Sequence, residues 1–239
     1  MTAGGSGSAG PERTRPSGRA GCGGFLGLVA TVLLVVIVVG VFLVDEQEPE
    51  EERVPVPENV PPARAVTVHD VAATAETLDM SEEHLEGYVS GAQTAANEFP
   101  SCNLAWNTLA GIGYVESHHG TYGAGADGGQ IIGPRLDGSG SFMEIPDTDN
   151  GELDGDPEYD RAVGPMQFLP ETWGTYGAGG DPHDIADAAA ASGRLLCGND
   201  RDLDTTDGWT RALFAYNRSE EYMVEVRDAA ANYALGQAA

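Results

Sequence analysis

Hydrophobic and polar positions divide the chain into four stretches. Residues 1–24 are rich in Gly, Ser and Arg and show no apolar period. Phe25 to Val44 is a continuous apolar run, residues 45–69 mix glutamate with proline, and from Asp70 apolar residues recur at helical spacing. In that last stretch Ser81 reads as an N-cap, with Glu82 and Glu83 in a first turn where acids suit the helix dipole. Leu85, Val89, Ala92 and Ala96 then mark one face of a helix that runs up to Phe99-Pro100. The same spacing predicts helices from Leu104 to about Ser117, from Asp184 to Cys197, from just after Asp207 to about Tyr216, and after Ser219. The last of these has Tyr222, Val226, Ala230 and Tyr233 on one face.

Residues 118–161 break the pattern. They are crowded with Gly, Asp and Pro and hold two short apolar patches, Gln130-Ile131-Ile132 and Ser141-Phe142-Met143-Glu144-Ile145. These read as long loops around a small hairpin. The expectation is therefore a mostly α, single globular domain over 70–239 with a long loop insertion, long enough to bury a real core.

The apolar run carries no charge, and at ~1.5 Å per residue it spans the ~30 Å hydrocarbon core of a bilayer. It is longer than a signal-peptide core, and no small-residue cleavage pattern follows it. Arg13, Arg15 and Arg19 precede it; Asp45, Glu46, Glu48, Glu50, Glu51 and Glu52 follow. That asymmetry predicts a cytoplasmic tail over 1–24, a single transmembrane helix over 25–44, and everything beyond it outside. The stretch 45–69, with Pro49, Pro55, Pro57, Pro61 and Pro62 among glutamates, reads as a semi-rigid acidic stalk.

The net charge is −26, with 12 Lys and Arg against 38 Asp and Glu. Phosphate binding needs a basic footprint, so nucleic acid is not an expected partner. Cys22 lies before the apolar run. Cys102 and Cys197 lie in the globular part, where an oxidising compartment favours one disulfide over a pair of buried thiols.

Candidate chemistry centres on Glu116. Leu109, Ile112, Gly113 and Glu116 fall at i, i+3, i+4 and i+7, which puts the carboxyl group on the apolar stripe of its helix near the C-terminal end. Burial and the negative end of the dipole both raise its pKa, and a carboxyl group that keeps its proton near neutrality is what glycosidic cleavage asks of a general acid. Gly113 is expected to leave space beside it. Two further segments carry polar groups in apolar settings. Ala162-Val163-Gly164-Pro165-Met166-Gln167-Phe168-Leu169-Pro170 pairs a turn with one glutamine that needs partners, which a sugar or the backbone supplies. Ala215-Tyr216-Asn217 ends a helix, with Asn217 as a groove residue or as a C-cap.

Val115-Glu116-Ser117, then Gly164-Pro165-Met166-Gln167-Phe168 with Pro170, then Ala215-Tyr216-Asn217 together resemble the lytic transglycosylases of the lysozyme-like superfamily. The membrane-bound B-type branch is the nearest in pattern, and the likeness covers roughly residues 80–235. It implies a lysozyme-like α+β fold and peptidoglycan glycan strands as substrate, with Glu116 as the acid and base. Ser117, Met166, Gln167, Tyr216 and Asn217 become the substrate-side residues, although Ser117 is open to a purely local role. The implied reaction ends in a 1,6-anhydro-N-acetylmuramic acid, with no second carboxylate and no cofactor. A muramidase-type hydrolase, drawing on a second carboxylate such as Glu144, Asp147, Asp149 or Asp160, and a non-catalytic peptidoglycan-binding module are the alternatives. The run Asp147 to Asp156 departs from a calcium-loop pattern, because Gly151 stands where a ligand is needed. It reads as an acidic solvated loop, with a structural Ca²⁺ as the lesser alternative.

Overall fold

The computed structural model describes residues 67–122, 130–140 and 142–239. The cytoplasmic tail, the transmembrane helix and nearly all of the stalk expected before residue 70 lie outside the described residues. Among those described, no helix is long and apolar enough to cross a membrane. They form seven helices and one small sheet: α1 (Val71–Thr77), α2 (Glu82–Glu98), α3 (Trp106–Ser117), β1 (Ile132–Arg135), β2 (Arg161–Val163), α4 (Pro170–Tyr176), α5 (Ile185–Cys197), α6 (Thr206–Tyr216) and α7 (Glu220–Ala234). The mostly α expectation holds.

Side-chain caps set most of the helix starts. Asp70 accepts from Ala73 N, Ser81 from His84 N, Asp184 from Ala186 N and Asp187 N, Thr205 from Gly208 N, and Ser219 from Tyr222 N. Each satisfies backbone donors that the first turn leaves without a partner. Helix α3 begins at Ala105 with no side-chain cap, and it is buried continuously from Trp106 to Gly113. A helix apolar all round belongs at the centre of a core. Helix α7 packs along it, α2 lies on another side, and α2 in turn packs on α5. Leu85, Leu109, Ile112, Leu196, Leu213 and Val226 are fully enclosed between them. Each such side chain contributes about 1.5–3 kcal/mol relative to leaving it in water.

Polar links fix the helices where apolar packing would let them slide. Asn107 Nδ2 donates to Ala230 O (2.9 Å), joining α3 to α7, and Trp209 Nε1 donates to Thr108 Oγ1 (3.1 Å), joining α6 to α3. The Cys102–Cys197 disulfide, with its Cα atoms 5.4 Å apart, ties the segment before α3 to the end of α5. The expected pairing is present.

Two short helices, α1 and α4, are additions to the sequence expectation. The sheet also differs from it. Strand β1 pairs antiparallel with β2, Ile132 opposite Val163 and Arg135 opposite Arg161, so the partner of the first apolar patch is not the second patch. The second patch meets the chain just after β1, through a bridge of Asp137 with Glu144 and a bond from Ile145 N to Leu136 O at 2.9 Å. Arg135 and Arg161 both reach Asp156, Arg135 also pairs with Glu158, and its guanidinium lies 4.7 Å over the Tyr159 ring. These contacts hold the insertion against the strand that leads into the Gly164 turn.

Candidate active site

Helix α3 delivers Glu116 in its last turn. Leu109 and Ile112 on the same stripe are fully buried, as their spacing predicts, while Glu116 itself retains partial exposure. Protein atoms nonetheless surround the carboxyl group closely enough that desolvation raises its pKa from 4.5 to about 7. A hydrogen bond opposes that rise: Tyr222 Oη, from the first turn of α7, donates to Glu116 Oε1 at 2.7 Å. Burial and the nearby carboxylate push the Tyr222 hydroxyl well above the usual tyrosine range, so it stays a donor. Among the described residues, burial and one tyrosine hydroxyl tune Glu116, and no second carboxylate does.

A second tyrosine flanks the first. The rings of Tyr216 and Tyr222 lie nearly parallel, 6.4 Å apart at 9°. Tyr216 is close enough to Glu116 that the carboxylate contributes to raising its pKa. The Tyr216 hydroxyl is committed elsewhere, donating to Met166 O at 2.7 Å, with Ser192 Oγ at 3.3 Å. Its ring packs edge-on against Phe168.

The Gly164–Phe168 segment is a tight hairpin turn. Val163 and Phe168 exchange backbone hydrogen bonds of 2.8 and 2.9 Å, and the chain between them turns through left-handed residues at Gly164 (φ 76°) and Gln167 (φ 48°). Gly164 is obligatory here: a Cβ at that position would lie 1.8 Å from Pro182 O. Gln167 Nε2 donates to Gly164 O at 2.9 Å, which steadies the turn from within. The turn is joined to α3 by Ser117, whose Oγ donates to Pro165 O at 2.6 Å and accepts from Gly120 N at 2.7 Å.

The structure places Tyr216 between two of the other predicted residues, Glu116 and Gln167. Glu116 and Tyr216 share one electrostatic environment, and Gln167 lies with Tyr216 in a groove of about 260 Å³ whose other walls include Glu171, Thr172 and Thr175 of α4. The groove adjoins the Tyr216 side of the site, and Glu116 is not part of its lining. Three others are corrected in position or emphasis. Ser117 and Met166 are buried, so they brace the turn from behind rather than face a substrate. Asn217 is exposed and serves as the C-cap of α6, and its Oδ1 accepts from Ser219 N at 3.1 Å at the approach to α7. Gly113 does not leave space beside Glu116. A Cβ there would fall 2.0 Å from Tyr88 Oη, so the tyrosine already occupies that room.

The acidic stretch is solvated only in part, with Thr148, Asn150, Glu152 and Gly155 exposed. Asp154 and Asp160 are buried, and carboxylates organise the backbone around them. Asp147 accepts from Asn150 N and Gly151 N, Asp154 from Asp156 N and Arg161 N, and Asp160 from Thr148 N and Oγ1. Asp147, Asp149 and Asp160 each bring an oxygen within 4.8 Å of the others, and Asp149 Oδ1 is buried without a hydrogen-bond partner. An all-oxygen set of this kind suits a hard cation such as Ca²⁺ better than zinc, but three carboxylates fall short of the six to eight oxygens calcium takes. The loop therefore enters the chemistry below only as support for β2.

The sequence reading did not single out Tyr222 or Glu171 as site residues. Tyr222 sits on the predicted apolar face of α7, and no spacing signals that this face meets Glu116. Glu171 follows Pro170, and a Pro at the first helical position followed by an acid is a legible start signal for the helix that places it. No protein-family model, curated protein or solved structure matches this chain.

Proposed function

We propose that the chain is a membrane-anchored lytic transglycosylase of lysozyme-like fold, cleaving the β-1,4 bond between N-acetylmuramic acid and N-acetylglucosamine in peptidoglycan outside the cell membrane. The observation that carries this reading is Glu116: partly accessible, raised to about 7, and hydrogen-bonded by Tyr222. A carboxyl group poised near neutrality holds a proton in part of the population and lacks it in the rest. One residue can then serve as acid and, later in the same turnover, as base.

The chemistry follows in two steps. Glu116 gives its proton to the glycosidic oxygen as the C1–O bond breaks, and the N-acetyl oxygen of the muramic acid supports C1. The Glu116 carboxylate, held by the Tyr222 hydroxyl, then takes the proton from the C6 hydroxyl as that oxygen closes onto C1. The 1,6-anhydro ring forms, the N-acetylglucosamine leaves with its new hydroxyl, and no water is consumed. Tyr216 lines the groove with its hydroxyl committed to Met166 O, and Gln167, on the same groove, supplies a polar contact to the glycan.

The hydrolase alternative on the same scaffold would draw on Glu171, the carboxylate that lines the adjoining groove. It is exposed, and it does not shift Glu116. The activity test is release of soluble fragments from dye-labelled peptidoglycan by the purified full-length chain and by Glu116→Gln. Cleavage by the first and a loss of about 10³-fold or more in the second is the expected result; equal release by both removes Glu116 from the chemistry.

A further inference from the structure

Three residues after Glu116 comes a buried polar group that the proposed chemistry does not use. The imidazole of His119 sits between two tyrosines, with Nδ1 2.8 Å from Tyr88 Oη of α2 and Nε2 2.8 Å from Tyr233 Oη of α7. Tyr88, His119 and Tyr233 are all buried. A neutral imidazole has one N–H and one bare nitrogen, so one tyrosine accepts from it and the other donates to it. Both ring nitrogens are satisfied only when both hydroxyls are present, and burial rather than the hydrogen bonds keeps the imidazole uncharged.

His119 also occupies an unusual stretch of backbone. Helix α3 ends one residue after Glu116, and His118 (φ 47°), His119 (φ 54°) and Gly120 (φ 78°) follow in the left-handed region. Two consecutive non-glycine residues in that region persist only where the surroundings over-determine them. The backbone closes part of the turn, with His119 N donating to Gly113 O at 3.0 Å. The side chain supplies the rest by tying the turn to α2 and α7 at once. Ser117, within the same turn, passes the restraint on to Pro165.

Helix α7 is the common element. Tyr222, which holds Glu116, and Tyr233, which holds His119, are 11 residues apart, about three helical turns, so both lie on the face of α7 that meets α3. We propose that His119 is a positioning residue for Glu116: clamped between Tyr88 and Tyr233, it locks the left-handed turn that ends α3 and so keeps the Glu116 carboxyl group against Tyr222. The inference rests on the transglycosylase reading only for its effect on turnover; the placement of Glu116 stands apart from the reaction.

The clamp does not titrate where Glu116 does. Burial, with His84 and His118 nearby, lowers the His119 pKa to about 3. The groups facing it are His84 and Tyr88 from α2, Tyr114 and His118 from α3 and the turn, and Tyr233 from α7. None is a carboxylate that would draw a proton onto the ring. Glu116 can therefore gain and lose its proton around neutrality while its support stays in one state.

The experiment follows the carbon-13 carboxyl resonance of Glu116 through a pH titration of the full-length chain, with Glu116→Gln to assign it, alongside kcat and KM on soluble glycan strands. His119→Phe keeps the ring volume and removes both hydrogen bonds; Tyr233→Phe removes one; His119→Gln restores a neutral donor and acceptor. In folded His119→Phe and Tyr233→Phe, the Glu116 titration is expected to move away from its wild-type midpoint, towards the ordinary glutamate range as water reaches the loosened helix end. In His119→Phe, kcat is expected to fall about 10- to 100-fold with KM within about twofold, as misplacement of a catalytic group by about an ångström predicts. His119→Gln should recover most of both. A Glu116 titration unchanged in both Phe variants overturns the proposal, and should His119→Phe not fold, Tyr233→Phe and Tyr88→Phe decide. A wild-type chain that cleaves no glycan defeats the transglycosylase reading alone, because the titration reads the position of Glu116 without turnover.

Discussion

The Tyr222 hydroxyl donates to Glu116 Oε1 at 2.7 Å across 106 residues of sequence, and the two side chains come from helices that pack along one another at the centre of the core. The bond stabilises the charged form of a carboxyl group that its surroundings would otherwise keep protonated. Removing it in Tyr222→Phe leaves desolvation unopposed, so the Glu116 pKa rises above about 7. Cleavage by a general acid is lost as pH rises through that pKa. The basic limb of the kcat/KM profile should therefore move to higher pH in the variant. A limb that stays in place, or moves down, contradicts the role given to Tyr222.

Glu116 should also lower the stability of the protein at neutral pH. Its folded pKa of about 7 lies above the 4.5 expected in an unfolded chain, so between these values the folded state binds more protons. Stability then falls as pH rises across that window and levels off above it, by at most about 3 kcal/mol in all. Glu116→Gln has no such titration. Denaturant unfolding at pH 4 and pH 8 should show the variant gaining on the wild type by up to that amount at the higher pH. A difference that is constant with pH would mean that Glu116 is not desolvated in the folded chain.

The Cys102–Cys197 bridge closes a loop with a sequence separation of 95. In the chain-entropy model its loss costs about 4.7 kcal/mol. The Cys102→Ser, Cys197→Ser double variant should accordingly unfold at much lower urea concentration, with a steeper transition because its denatured chain is less compact. A loss under about 1 kcal/mol would place the stability of the α3–α5 junction in packing alone.

Gly113→Ala tests the packing behind the acid. The added methyl group would lie 2.0 Å from Tyr88 Oη and 2.8 Å from Cζ, and Tyr88 is fully buried with no room to swing away. Overpacking of this kind costs about 1–3 kcal/mol. In a double-mutant cycle with Tyr88→Phe, which removes the clashing oxygen, the two costs should be far from additive. Additive costs would show that the helix shifts bodily rather than pressing on Tyr88.

Much of the helical scaffold is legible from local chemistry. Ser81, Asp184 and Ser219 announce their helices by capping, and the i, i+3, i+7 spacing of Leu109, Ile112 and Glu116 places a carboxyl group on a buried stripe. What escapes is set by tertiary contact. Helices α1 and α4 have seven residues each, too short for a period to stand out, and Pro170 reads as the close of a motif although it opens α4. Pairing of β1 with β2 bridges a long insertion, and the contacts that fix it run between Arg135, Arg161 and Asp156, which no alternation marks. Within the site, Glu116, Gln167 and Tyr216 are legible as polar groups in apolar settings. Tyr222 and His119 are not, because an aromatic on a helix face and a histidine after a helix end gain their roles only from partners on other helices, 31 to 114 residues away.

The central claim is that bond cleavage at Glu116 ends in an internal ring rather than in capture of water. Mass spectrometry of soluble fragments, made by the full-length chain from isolated peptidoglycan in ¹⁸O-labelled water, tests it directly. The account predicts fragments ending in 1,6-anhydro-N-acetylmuramic acid, lighter than the hydrolysis product by one water, free of ¹⁸O, and absent with Glu116→Gln. Reducing ends that carry ¹⁸O would contradict it and make Glu171 the first residue to replace.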